Sequence, residues 1–260
     1  MSERDRRLVF GEDATRYDRA RPAYPDELVD QLVAWVGPQA RVVEIGSGTG
    51  KATRLLAARG MTGVGVEPHP AMAAIARDHV PAASGWRIDV SGFEEWEPQP
   101  GDVPADLVVS AQAWHWIDPE VRLHRSHDLL RAGGWLALWW NTADESDDSP
   151  LRHAIDDVYR RREPEVGVLP SCGGLPMPGR DDDMPPGLDF GPPVARSLPW
   201  GHTYTTAEWL DLLQTHSNHI VLDPDRRADL LAEVGAVVDA HGGRYTARYV
   251  TQLWAAPRSG

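Results

Sequence analysis

The chain has 260 residues and one cysteine, Cys172, with 26 Lys and Arg against 39 Asp and Glu, a formal net charge of −13. That length suits one sizeable globular domain, and the acidic balance disfavours phosphate-backbone or anionic-membrane partners, since no basic excess exists to release counterions. A lone cysteine makes no intrachain disulfide. The charged opening Met-Ser-Glu-Arg-Asp-Arg-Arg is unlike a secretory signal, and no apolar run reaches eighteen residues, so a cytoplasmic protein is expected.

In chain order, Leu28, Leu32, Val33 and Trp35 or Val36 recur at helical spacing over residues 26 to 36, stopped by Gly37-Pro38. A strand at 41 to 45 runs into Gly46-Ser47-Gly48-Thr49-Gly50, and the helix that follows carries Leu55 and Leu56, with Gly60 as its cap. Strands are expected at 63 to 66, 86 to 90, 107 to 111 and 135 to 140. Helices opened by Pro70 and by Asp118-Pro119 separate them, the second closed by Gly133-Gly134. Crossovers of this length imply right-handed β-α-β units in a doubly wound parallel sheet, with ligands at the strands' carboxyl ends.

Beyond Asn141 a helix through Leu151, Ile155 and Tyr159 leads to residues 163 to 193, rich in Pro and Gly and expected as a lid-like loop. A strand near 194 to 198, a helix opened by the capping box Thr205-x-x-Glu208, a longer helix through Leu230 and Val238, and a strand from Arg244 to Ala255 complete the chain. A single domain is expected over 1 to 260. Within it lie a cap arm and first helix at 1 to 36, a cofactor-binding core at 41 to 142, the lid, and closing elements at 194 to 255.

Glycine at every second position after an apolar strand is where a ligand meets backbone, because positive φ is free there and the next helix offers unpaired N–H groups. The spacing departs from two known uses. A dinucleotide fingerprint is broken by Lys51, and a phosphate-cradling loop by Ile45 and by Ala52, which has no hydroxyl for magnesium. Glu67, 21 positions after Gly46, can accept from both ribose hydroxyls or cap the next helix. Asp89, one strand along, can accept from an exocyclic amine or stand as a solvated turn acid.

The run Glu44-x-Gly46-x-Gly48-x-Gly50, the acids Glu67 and Asp89, then Asp106 to Gln112 and Leu130 to Trp135, together resemble class I S-adenosylmethionine-dependent methyltransferases. The likeness is to the small-molecule branch of ubiquinone/menaquinone-biosynthesis and trans-aconitate methyltransferase-like proteins. It implies a seven-stranded Rossmann-like α/β sheet with an antiparallel last strand, and S-adenosylmethionine as cofactor with S-adenosylhomocysteine as product. Carried over by position, Glu44, Gly46, Ser47, Gly48 and Gly50 lie on the methionine part, Glu67 on the ribose and Asp89 near the adenine. Ser110, Ala111 and Gln112 line the region between cofactor and acceptor, and Tyr17 and Arg21 belong to a closing cap.

Methyl transfer is a linear displacement at an activated carbon, so alignment and exclusion of water carry most of it. His115 is the candidate base, and Trp114, Trp116, Trp140, Asn141 and Tyr24 are candidates for the acceptor pocket. His124, His127 and Asp128 share one helix, but that spacing arises by helical periodicity alone and no metal is expected. The expected activity is methyl transfer to an O, N or C nucleophile of a small molecule. A non-methylating cofactor binder and a nucleotide-dependent oxidoreductase are the alternatives.

Overall fold

The computed structural model describes residues 14–166 and 188–260, and the greater part of the expected lid, 167 to 187, lies outside the described residues. Helices α1 (Ala14–Ala20), α2 (Asp26–Val36), α3 (Lys51–Ala58), α4 (Pro70–His79), α5 (Pro119–Leu129), α6 (Pro150–Arg162), α7 (Thr206–Gln214), α8 (Ser217–Ile220) and α9 (Pro224–Ala240) alternate with seven strands. These are β1 (Arg41–Ile45), β2 (Thr62–Glu67), β3 (Trp86–Val90), β4 (Ala105–Ala111), β5 (Leu130–Ala143), β6 (Val194–Thr205) and β7 (Arg244–Pro257). The sheet has the order β3-β2-β1-β4-β5-β7-β6.

Strands β1 to β5 pair in parallel, with Val43 opposite Val64 and Val108, and Val108 opposite Leu136. β7 runs against β5: Gly134 faces Arg258, Asn141 faces Thr251 and Asp144 faces Arg248. The seven-stranded α/β sheet with antiparallel closing strands is the architecture expected of the sequence.

The chain gathers into two compact units. One holds 23–141, 188–198 and 251–260, and the other 14–22, 142–166 and 199–250. In the first, the parallel strands are apolar on both faces, as strands covered by helices on both sides must be. Val43, Ile45, Val108, Leu136 and Leu138 pack one face with Trp114 and Trp140. Val42, Leu107, Val109 and Ala137 pack the other against Leu28 and Leu32 of α2 and Leu56 of α3. In the second unit, Ile155, Trp209, Leu213, Leu230 and Val238 close over Tyr204, Tyr245 and Tyr249. The Thr205–Glu208 capping box is formed in both directions.

Two boundaries differ from the sequence reading. α5 passes into β5 at Leu130 without the expected glycine stop. Gly133 and Gly134 instead take up an irregularity, the pairing stepping from Ala105–Leu130 to Leu107–Trp135, and Gly133 has φ +71°. A Cβ at Gly134 would lie 3.0 Å from the Ala105 carbonyl oxygen, so a larger residue there would push the neighbouring backbone by a few tenths of an ångström. β6 extends to Thr205, well past the expected 198, because pairing overrides the low strand propensity of Pro199 and Gly201. Ser197 meets Gln252 and Thr203 meets Thr246 across the two strands.

One carboxyl is enclosed in this core. Glu44, 1% exposed on β1, accepts the Thr53 hydroxyl of α3 at 2.5 Å, and burial pushes its pKa up to about 8. The folded protein thus keeps a proton that the unfolded chain loses from about pH 4.5 upward, so stability falls as pH rises from there to about 8. Glu44→Gln is expected to flatten that decline, which costs up to about 1.4 kcal/mol per pH unit, and to be the more stable form above pH 8. Urea midpoints between pH 5 and 9 measure it; parallel curves for the two proteins would locate the proton elsewhere.

Candidate active site

The site is built at the carboxyl end of β1, where Gly46, Gly48 and Gly50 have φ of +71°, +58° and +82°. L side chains are disfavoured there, and the three glycines serve three different ends. At Gly46 a Cβ would come within 2.3 Å of the Ala113 Cβ, so its absence lets the loop after β4 close on the end of β1. At Gly50 a Cβ would meet the Ala76 backbone of α4 at 3.2 Å. Gly48 has only the Met72 methyl near, at 3.6 Å, and its N–H donates to Glu67 Oε2 at 2.8 Å. The turn is therefore packed by the protein's own chain on two sides and left open at its centre.

Two hydroxyls of the turn are unspent. Ser47 Oγ and Thr49 Oγ1 are buried and lack a hydrogen-bond partner among the described residues. Such atoms are costly unless a ligand or water completes them. Gly65 makes room for Ser47, whose Oγ would lie 2.9 Å from a Cβ there.

Glu67 ends β2 at 5% exposure. Its Oε1 accepts the His69 N–H at 2.9 Å and its Oε2 that of Gly48, so each oxygen keeps a lone pair for a further donor. Burial raises its pKa while the two backbone N–H groups oppose that rise. Asp89 differs: Arg87 grips it at 2.7 and 2.9 Å, and Trp96 donates to Oδ2 at 2.9 Å. Oδ2 is filled and Oδ1 retains one lone pair. The Arg87 guanidinium, which also holds Asp102, keeps the Asp89 carboxyl below its ordinary range.

The loop after β4 is strained. Gln112 has φ +61° without being glycine, its N–H bound to the Trp139 carbonyl and its side chain donating to the Asn141 carbonyl at 3.3 Å. Ser110 spends its hydroxyl on the Ile45 carbonyl, and Ala111 is buried beside it. In the 3₁₀ turn Trp114–Trp116 that follows, His115 keeps part of its surface exposed, while the desolvation of its ring, with the Arg122 charge contributing, lowers its pKa to about 4. The Trp140 indole donates to His115 Nδ1 at 3.4 Å. An indole only donates, so the neutral ring carries its proton on Nε2.

The expected acceptor-pocket residues separate. Trp114 and Trp140 are 0% and 1% exposed within the apolar core, which makes them packing rather than walls. Trp116 lies 4.7 Å from the His115 ring. Asn141 acts as a staple, donating to the Ala23 carbonyl and accepting from Thr251, and Tyr24 meets Trp139 edge-on at 5.7 Å. Tyr17 and Arg21 belong to the other unit, where the Arg21 guanidinium stands 5.2 Å from the Tyr17 ring. No group of three or more metal-ligating side chains is assembled among the described residues.

Thr49, Arg87 and Trp96 escaped the sequence reading. Arg87 is legible in hindsight, sitting two residues before Asp89 on the same strand face; Thr49 carries no signal apart from the turn it occupies. Gly46→Ala is expected to cost roughly 2 to 4 kcal/mol, about 1 from the backbone angle and the rest from the Ala113 contact. Adding Ala113→Gly should return the contact part alone, as read by denaturant midpoints; full recovery would mean that the angle costs nothing.

Residues 17–165 match the family model described as a methyltransferase domain. An uncharacterized methyltransferase of Mycobacterium tuberculosis is 41% identical over 146 residues, 55% of this chain and 56% of that protein, so the chain spans little more than half the length of this relative. A trans-aconitate 2-methyltransferase of Delftia acidovorans is 36% identical over 126 residues, 46% of this chain and 44% of that protein. The fold is shared with a solved structure from Anaeromyxobacter dehalogenans named as a putative type II methyltransferase, at a TM-score of 0.61, 21% identity and coverage of 92% of this chain and 97% of that one. With its glycine turn, its acids at successive strand ends and a family match over more than half its length, the chain belongs to the methyltransferase-domain family.

Proposed function

We propose that the protein transfers a methyl group from S-adenosylmethionine to a small-molecule acceptor, chiefly by positioning. The observation that carries this reading is the polar capacity left at the carboxyl ends of β1 and β2. Ser47 and Thr49 have unspent hydroxyls, and each Glu67 oxygen has taken one backbone N–H and kept one lone pair. That pair suits two adjacent ribose hydroxyls, while the glycine turn suits the amino-acid end and the free lone pair of Asp89 Oδ1 suits an exocyclic amine. The bound donor supplies a methyl already activated by its sulfonium. The chain's part is to hold donor and acceptor in line and to keep water out, which for well-oriented reactants is worth on the order of 10⁵ M in effective concentration.

General-base catalysis by His115 fits poorly. Its pKa near 4 makes it a weak acceptor at neutral pH, and Nδ1 already receives the Trp140 indole. We assign it instead to presenting an Nε2–H donor. An acceptor that arrives as an anion has no proton to lose and needs no base. The relative named for trans-aconitate, a carboxylic acid, supports a small acceptor of this kind.

By calorimetry, the full chain is expected to bind S-adenosylhomocysteine and not NAD; the reverse preference would remove the reading. Glu67→Ala should weaken S-adenosylhomocysteine by about tenfold or more, since two hydrogen bonds to a charged group are lost. In assays of labelled methyl transfer, turnover should show no ionisation assignable to His115 between pH 5.5 and 9. An inflection near pH 6.5 abolished by His115→Gln would restore the base.

A further inference from the structure

Gln112, which follows β4, is the one described residue other than glycine with a positive φ, at +61°. Glycine would hold that backbone at no steric cost, so a glutamine kept there points to a use for its side chain. Two hydrogen bonds to β5 fix it: its N–H donates to the Trp139 carbonyl at 2.9 Å and its Nε2 to the Asn141 carbonyl at 3.3 Å. Asn141 is itself anchored, through the Ala23 carbonyl and the Thr251 hydroxyl. A carbonyl only accepts, so the amide is held with its nitrogen toward β5. Oε1 is the end left over, and it takes no hydrogen bond from the described residues.

The place of that oxygen follows from the order of the strands. The residues concerned all belong to the unit of 23–141, 188–198 and 251–260. Asp89, Glu67 and the glycine turn stand at the ends of β3, β2 and β1, which are adjacent in the sheet, and β4 is the next strand along. With the adenine at the first, the ribose at the second and the amino-acid end at the third, the donor lies along the strand ends toward β4. What remains of it is the methyl group. The contact of Ala113 with Gly46, where a Cβ would come within 2.3 Å, sets Gln112 at the border of the turn. Hydrogens of a methyl on a sulfonium carry positive charge, and a carbonyl-type oxygen attracts them as weak hydrogen-bond donors.

We infer that Gln112 Oε1 receives the methyl group of S-adenosylmethionine through C–H···O contacts, aiming it at the acceptor and favouring the methylated donor over the demethylated product. This rests on the methyl-transfer reading and gives it a residue that tells donor from product. An amide suits the task, because its neutral oxygen attracts the methyl hydrogens and is too weak a nucleophile to take the methyl itself. After transfer the sulfur is neutral and bears no methyl, so the contact is absent from the product complex.

The test is calorimetry on the full chain with S-adenosylmethionine and S-adenosylhomocysteine in parallel, for wild type, Gln112→Gly and Gln112→Leu. Glycine leaves the backbone at ease and removes the amide, while leucine fills much of its volume without an oxygen. Each variant should weaken S-adenosylmethionine about threefold or more, the size of a weak C–H···O contact strengthened by charge, and leave S-adenosylhomocysteine within about 1.5-fold. If Gln112 only ties the loop to Asn141, both ligands weaken alike and the melting temperature falls, and the inference is overturned. It is overturned equally if either folded variant binds S-adenosylmethionine as tightly as wild type does. Should Gln112→Leu not fold with its backbone left-handed, Gln112→Gly decides alone. Failure of wild type to bind either ligand would count against the methyl-transfer reading instead.

Discussion

The approach of Ala113 to Gly46 is the contact on which the binding end of the parallel sheet depends. A side chain at Gly46 would occupy the space now filled by the Ala113 methyl group. The loop after β4 would then have to stand away from β1, and with it the left-handed Gln112, the 3₁₀ turn and the hydrogen bond from Trp140 to His115. The glycines of such a turn are usually explained by what they allow a ligand to do. Here two of the three are explained by what they allow the protein to do, folding its own loop and its own helix α4 against the turn. The open centre at Gly48 is what remains once both sides are filled.

Three acids at or near the ends of three adjacent strands show how partners divide one functional group into separate jobs. Glu44 has a hydroxyl as its partner and no compensating charge, so it keeps its proton to about pH 8. Glu67 receives two backbone N–H groups that work against the cost of its burial. Asp89 is clasped by Arg87 and stays ionised below its ordinary range. Spacing along the chain puts all three in comparable places, and their protonation follows from what faces them.

That division also marks where the sequence was legible. The strands at 41–45 and 86–90, the helix at 26–36 and the Thr205 capping box are local matters of periodicity and capping, and the structure has them where the residues point. Gly133-Gly134 was misread because a glycine pair closes a helix or absorbs an irregular pairing equally well, and only the partner strand decides. β6 was foreshortened because its extent is set by β7, about fifty residues away. At the site, the position of Glu67 at the end of β2 beside the turn was readable from its distance along the chain. Trp114 and Trp140 were not, since a tryptophan beside a strand end looks the same whether it lines a pocket or fills the core.

β7 carries a further consequence, for the order in which the molecule can be made. Gly133 donates to the Arg258 carbonyl, the Arg258 N–H returns to Gly134, and the Arg258 side chain reaches the His127 carbonyl. Leu253 and Ala255 complete one side of the core around β1, and Trp254 and Ala256 the other. Residues 23 to 141 are therefore synthesised with both apolar faces short of their last strand, and wait for more than a hundred further residues to leave the ribosome. Sheets closed by such distant partners form slowly and expose strand edges in the interval. Between synthesis and closure, the unpaired flank of β5 is where a chaperone, or a neighbouring nascent chain, would find this protein open.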